Sequence, residues 1–230
     1  MTMQELRAQA EKLLVLQPNL RCIESDHGIV LEGIFVLNAS FDDLPLYDEF
    51  EVKISISTEF PNMIPSVMAG PGNIPESFEH FLDDGRLCLG APCDLIDDLN
   101  SHYDLSGFIM TFLPSYLYAV SYYKRYGELP KYGERSHGIL GLIEAYKERY
   151  EVDDDQLLCQ LLYMLYSGSE YRGHMSCPCG SGLKLRNCHG RKLLKDIQSP
   201  MNTYLKSDAC WILQYFYERR NSGGNKRSTK

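Results

Sequence analysis

Hydrophobic positions change their period along the chain, and the changes mark out its elements. In residues 3 to 17, Leu6, Ala10, Leu13 and Leu14 fall at helical spacing with Glu, Arg and Lys on the other side, and Pro18 stops the pattern. This predicts an amphipathic first helix. Three strand-like runs follow: Leu20 to Glu24, Gly28 to Leu37 after the turn Asp26-His27-Gly28, and Tyr47 to Ser57. In the last, Phe50, Val52, Ile54 and Ile56 alternate with Glu51, Lys53, Ser55 and Ser57. One buried and one wet face predict an antiparallel meander rather than a parallel sheet. Phe60 to Val67 adds a Pro-interrupted fourth edge strand.

Gly70 to Gly90 lacks a period and is rich in Gly, Pro and Asp, the composition of a loop that carries chemistry. Residues 105 to 126 read as a helix that Pro114 kinks or breaks. The polar turn Gly133-Glu134-Arg135-Ser136-His137-Gly138 precedes a helix from Ile139 to Tyr150. Another runs from Asp153 to Tyr166, opened by three aspartates that suit the positive end of a helix dipole, with Leu157, Leu158, Leu161, Leu162 and Leu165 as its core face. A last helix covers 203 to 220 with Leu205, Trp211, Ile212 and Phe216, and the polar, basic stretch Asn221 to Lys230 reads as disordered. The order of elements is that of an α+β protein.

A chain of 230 residues with 44% hydrophobic content can bury one main domain plus a small appendage. It has no run of 18 apolar residues and no basic-then-apolar start, so the expectation is a soluble cytoplasmic protein without a membrane partner. Charge divides it further. The total is −8, yet residues 171 to 230 hold twelve Lys and Arg against Asp196, Asp208 and Glu218, a local +9 that leaves −17 on the rest. The expected boundary is Ser167-Gly168-Ser169, giving a main domain over 1–166, a small module over 170–220 and a tail over 221–230. A basic module of this kind suits an acidic or nucleic-acid partner, the ribosome, or the acidic domain of its own chain.

Of the eight cysteines, three cluster at Cys177, Cys179 and Cys188, which in a reducing compartment argues for metal rather than disulfides. Cys177, Cys179, Cys188 and His189 supply four ligands for tetrahedral Zn2+, and Gly180, Gly182 and Gly190 permit the tight backbone of a small knuckle. Four protein ligands leave no open position, so the zinc is expected to be structural. The stretch Cys177 to Gly190 resembles the SEC-C zinc motif. In relatives that knuckle is a docking element, in keeping with the basic Lys184, Arg186, Arg191, Lys192 and Lys195.

The other chemical stretch is Asp84-Gly85-Arg86-Leu87-Cys88-Leu89-Gly90. Flanking leucines on irregular backbone hold a thiol in place yet reachable, as a thioester-forming nucleophile requires. Composition alone favours a buried core cysteine. The order of a hydrophobic strand, Phe60-Pro61-x-x-x-Pro65-Ser66-Val67, His80 and then Cys88-Leu89 resembles the core of ubiquitin-conjugating enzymes, most closely the bacterial members, over residues 1 to 150. The resemblance implies a UBC-like fold of N-terminal helix, four-stranded meander, active-site loop and helices. It implies that Cys88 takes a ubiquitin-like protein from an activating enzyme and passes it to an amine on a protein target. It implies a setting in bacterial conjugation systems, some of which act against phage.

His80 stands where the family has an Asn that steadies the oxyanion, and a histidine ring nitrogen can also donate a hydrogen bond. Asp94, Asp97, Asp98, Asp104, His102 and His137 are all available to assist amine attack, and spacing selects none of them. Cys93 is either a bystander or the partner of Cys88 in an oxidative block. The competing reading is a UBC-fold binding module without catalysis, docking through its zinc knuckle. A zinc hydrolase or deaminase is a third and poor reading, because His-x-Glu followed by Pro-Cys-x-x-Cys is absent.

Overall fold

The computed structural model describes residues 1–78, 81–82, 84–102, 104–130, 136 and 138–224. The chain forms two compact units, Met1–Gly90 with Asp94–Glu134, and Ala91–Cys93 with Arg135–Lys230.

In the first unit, α1 (Met3–Leu16) begins with a capping box: Thr2 accepts from the Glu5 backbone N–H while the Glu5 carboxylate accepts from Thr2. Leu6, Ala10 and Leu13 are fully buried, and Leu14 sits at the margin. Gln17 ends the helix and turns its amide onto the sheet, donating to the Val36 carbonyl at 3.1 Å and accepting from the Val36 N–H at 2.9 Å.

The sheet is an antiparallel meander in the order β1 (Leu20–Ser25), β2 (Gly28–Phe41), β3 (Leu44–Ser57) and β4 (Ser66–Ala69). Its centre is the β2–β3 ladder, which runs from Gly28↔Ser57 to Phe41↔Leu44. Asp42 and Asp43 form its two-residue turn, both with positive φ (48° and 60°), as a turn matching strand twist demands. Phe35, Leu37, Phe50, Val52, Ile54 and Ile56 face the core, so the alternation in β3 is realised. β4 is shorter than the sequence predicts, because Pro61 and Pro65 have no N–H to give a ladder and residues 58 to 63 form turns instead.

α3 (Leu105–Tyr126) covers the buried face with Leu105, Phe108, Ile109, Leu113, Leu117 and Val120. Asp104 caps it, accepting from the Gly107 N–H at 3.2 Å, and Gly127 in the left-handed region ends it. Pro114 does not break it. The proline removes one backbone donor, and burial on both sides keeps the helix continuous. Tyr118 donates to the Leu44 carbonyl at 2.9 Å and Ser121 to Asp48 at 2.8 Å, fixing α3 on β3. A further helix, α2 (Pro92–His102), was not among the sequence expectations; Leu95, Ile96 and Leu99 form its buried side.

The second unit contains α4 (Gly138–Tyr150), α5 (Asp155–Ser167), a small Cys-rich knuckle, α6 (Gly190–Gln198) and α7 (Asn202–Gly224). Asp154 caps α5 by accepting from the Leu157 N–H at 2.7 Å, and Leu158, Leu161, Leu162 and Leu165 are buried. Leu157 is only half-buried. The Ser167–Ser169 turn is where α5 ends, with Gly168 as its left-handed cap. α5 packs on α7, so α4 and α5 share the unit of the knuckle, and the change of charge near 170 does not coincide with the division by packing. α7 continues to Gly224, so residues 221 to 224 are helical, and 225 to 230 lie outside the described residues.

Two outcomes follow from this packing. Gly28 has φ 146° and a Cβ there would run into the Ile56 carbonyl, so Gly28→Ala is expected to destabilise the first unit by about 2 kcal/mol or more, read as lost hydrogen-exchange protection in β2 and β3. Asp208 on α7 is 7% exposed; burial raises its carboxyl from 3.8 to about 7, against the lowering effect of the Tyr146 hydroxyl that donates to it at 3.0 Å. The folded state therefore holds a proton that the unfolded chain releases, and stability falls as pH rises from about 4 to about 7. Asp208→Asn is expected to raise the urea midpoint over that of the native protein at pH 8 and to change it little at pH 4.

Candidate functional site

The knuckle is a miniature hairpin closed by a turn. Ser176 and Lys184 bridge, the Cys177 N–H donates to the Leu183 carbonyl at 2.8 Å, and the Leu185 N–H donates to the Met175 carbonyl at 2.8 Å. Gly180 and Gly182, with φ 78° and 75°, make the turn between them. A 3-10 turn, Leu185–Asn187, then delivers Cys188 and His189, and α6 begins at once. Gly190 lies so close to Leu185 that no Cβ fits between them.

This brings Cys177 Sγ to 3.2 Å from His189 Nδ1, Cys188 Sγ to 3.3 Å from the same nitrogen, and Cys179 Sγ to 3.6 Å from Cys188 Sγ. All four ligand atoms lie within 4.8 Å of one another. A zinc ion with Zn–S of about 2.3 Å and Zn–N of about 2.0 Å sets tetrahedral edges of roughly 3.5 to 3.8 Å, so the donor set fits zinc with small adjustments of the side chains. The Ser181 hydroxyl beside Cys179 lowers that thiol to about 6, and burial pushes Cys177 up to about 11. Lys184, Arg186, Arg191 and Lys195 around the knuckle are exposed and Lys192 is half-buried.

Cys88 sits in the first unit on irregular backbone just beyond a short bridge between Phe81 and Leu87. Leu87 is buried and its N–H donates to the Val67 carbonyl at 2.8 Å, which ties the loop to β4. Gly85, at φ 82°, turns the chain, and Arg86 pairs with Asp84 at 2.6 Å. The thiol itself is half-buried. Burial raises its pKa, and the backbone N–H of Gly90 works in the opposite direction. Buried Tyr116 on α3 faces Cys88, and its hydroxyl is also raised, by burial first and by that thiol second.

The remaining expected residues do not all converge on Cys88. His80 and His137 lie outside the described residues. Asp94, Asp97 and Asp98 are half-buried on α2, and His102 ends that helix. Asp104 is engaged as the cap of α3 and with Lys12 at 3.4 Å. Cys93 is fully buried and belongs to the second unit, where its carbonyl accepts from Arg149 Nη1 at 3.1 Å. Tyr116 and Arg149 went unnoticed in the sequence, and Asp196 showed there only as an acid inside a basic segment.

The SEC-C motif matches residues 176–191, the segment that holds the Cys/His cluster. No curated protein matches the chain, and no solved structure does. Among the described residues no helix is long and apolar enough to cross a membrane. The purified chain is expected to carry one equivalent of zinc, to lose it in His189→Ala, and to release it as pH falls, because protons compete for thiolate and imidazole ligands. Elemental analysis and a colorimetric zinc indicator read these outcomes.

Proposed function

We propose that the chain is a ubiquitin-like conjugating enzyme whose nucleophile is Cys88, with a structural zinc knuckle as its docking module. The observation that carries this reading is the setting of Cys88. It is a half-buried thiol on irregular backbone, tethered to a four-stranded antiparallel meander through Leu87, with the Gly90 N–H directed at its sulfur. The resemblance of Phe60 to Leu89 to the conjugating-enzyme core supports it from the sequence side.

In this chemistry the Cys88 sulfur attacks the thioester carbonyl that links the ubiquitin-like protein to its activating enzyme. A new S–C bond forms on Cys88, the old one breaks, and the proton of Cys88 passes to the departing thiolate. A target amine then attacks, a C–N bond replaces the S–C bond, and the proton lost by the amine returns to Cys88. Neither step needs a standing thiolate in the resting protein, so a raised thiol pKa is compatible with exchange and guards against stray oxidation. His80 stands as the proposed oxyanion donor. The partners are the activating enzyme, the ubiquitin-like protein and a target, in a setting of bacterial, antiphage conjugation.

A second reading is a binding module without catalysis. The same burial-raised thiol favours it, as does the exposed basic face of the knuckle. Intact mass after incubation with an activating enzyme, its ubiquitin-like protein and ATP separates the two. A thiol-sensitive adduct of one ubiquitin-like mass, lost in Cys88→Ala, is the expected result. No adduct from a pair active on another acceptor would leave the binding module standing.

A further inference from the structure

The edge of β2 that faces away from β3 is occupied only in part. Even-numbered residues turn their backbone groups to that side: the Ile34 N–H donates to the Asn19 carbonyl at 3.2 Å, and Val36 exchanges two bonds with the Gln17 amide. Odd-numbered residues turn theirs to β3, because the pair Phe41↔Leu44 closes a two-residue turn and bonded pairs alternate along an antiparallel ladder from there. Asn38 and Ser40 therefore each aim an N–H and a C=O away from the sheet. Both residues are exposed, and among the described residues none of these four groups has a hydrogen-bond partner.

The surroundings restrict what can lie there. Gln17 bounds the open rungs at Val36 and the Asp42–Asp43 turn bounds them on the other side, so an added strand finds a short site. Residues 35 to 51 hold Asp42, Asp43, Asp48, Glu49 and Glu51 and no Lys or Arg. Asp48 accepts from Ser121, whereas Glu49, opposite Val36, stands on the wet face with exposed Tyr47 and Asn38. The odd residues of β2 form the other, apolar face, where Leu37 is buried and Ala39 and Phe41 are half-buried. Just before Gln17, α1 ends on exposed Val15 and Leu16. Directly opposite residues of an antiparallel pair share a face. An incoming strand would thus set the side chains opposite Asn38 and Ser40 on the acidic wet face and the one opposite Ala39 on the apolar face.

We propose that this edge is a docking site for an extended basic segment of a partner protein, which adds antiparallel to β2 with Lys or Arg opposite Asn38 and Ser40 and an apolar residue opposite Ala39. Backbone bonds to the four open groups supply the affinity, and the acids around the turn select a cationic sequence. The site lies within the first unit and holds whether Cys88 is a nucleophile or an inert thiol.

The test is the fluorescence anisotropy of a labelled peptide of alternating Lys and Val, titrated with the full chain at low salt. Saturable binding below about 1 mM is expected. In the antiparallel arrangement the lysines turn their N–H groups to β2 and the valines turn theirs away. A peptide N-methylated at its lysines is therefore expected to bind at least about tenfold more weakly than one N-methylated at its valines, although the two carry the same charge. Asn38→Pro removes one outward donor and fills the edge with its ring, while the bonds of Leu37 and Ala39 to β3 stay in place, so it is expected to weaken the unmodified peptide about tenfold. The proposal is overturned if the native chain does not bind the peptide, if the two methylated peptides differ by less than that factor, or if Asn38→Pro binds as the native chain does. It is also overturned if sedimentation shows a native dimer that Asn38→Pro turns into monomers, since the edge then belongs to a second copy. Should Asn38→Pro fail to fold, the pair of methylated peptides decides on the native chain.

Discussion

The first unit depends on the ladder between β2 and β3, two strands of 14 residues each joined by a two-residue turn. Because side chains alternate strictly along such a ladder, its register commits every second residue to the core. A slip of one position would carry Phe50, Val52, Ile54 and Ile56 to the wet face and Lys53 and Glu51 to the dry one. The positive φ values of Asp42 and Asp43 fix the register at one end, and the crowding of Gly28 against Ile56 fixes it at the other. α1, α3 and β4, and through β4 the Cys88 loop, are placed on a surface already determined by that pairing.

The second unit is held together differently. Its helices bury leucines, but it also buries an ion pair and the carboxyl of Asp208, and it gathers a set of metal ligands of which Cys177 is buried. Each of these has a partner whose removal leaves a desolvated polar group behind. Apolar packing tolerates small shifts. A bidentate pair such as Arg149 and Asp196 does not, because both of its hydrogen bonds depend on a planar fork meeting a planar carboxylate. The unit therefore gains specificity of arrangement from its polar contacts, with the apolar core beneath them supplying the bulk of the burial.

Much of this was legible in the sequence wherever a single period ran long enough. The first helix, the meander and the leucine face of α5 were read directly, and the ligand set was readable because metal geometry restricts both residue type and spacing. Legibility failed where the pattern was short or the partners distant. β4 shrank because two prolines cost it ladder donors. α2 and α6 hid behind loops, each with too few apolar positions to show a period. Pro114 read as a break, since burial on both sides of it cannot be seen from the helix alone. The charge step near residue 170 tracked surface composition, whereas the two units part according to which helix faces which. Arg149 and Tyr116 carry no local signal, because what makes them matter is a contact many positions away.

The amide of Gln17 has a consequence for the assembled sheet. β1 begins opposite Gly33 and the Ile34 N–H is taken by the Asn19 carbonyl, so among the described residues no strand pairs with the edge of β2 from Phe35 to Phe41. Such an edge is a template on which a foreign strand can polymerise. Gln17 occupies both the donor and the acceptor of Val36, in the middle of that edge, with the two bonds a trespassing strand would need there. The residue that ends the first helix thus also acts as a guard against fibril growth, a role that neither a leucine nor a lysine at the same position could fill.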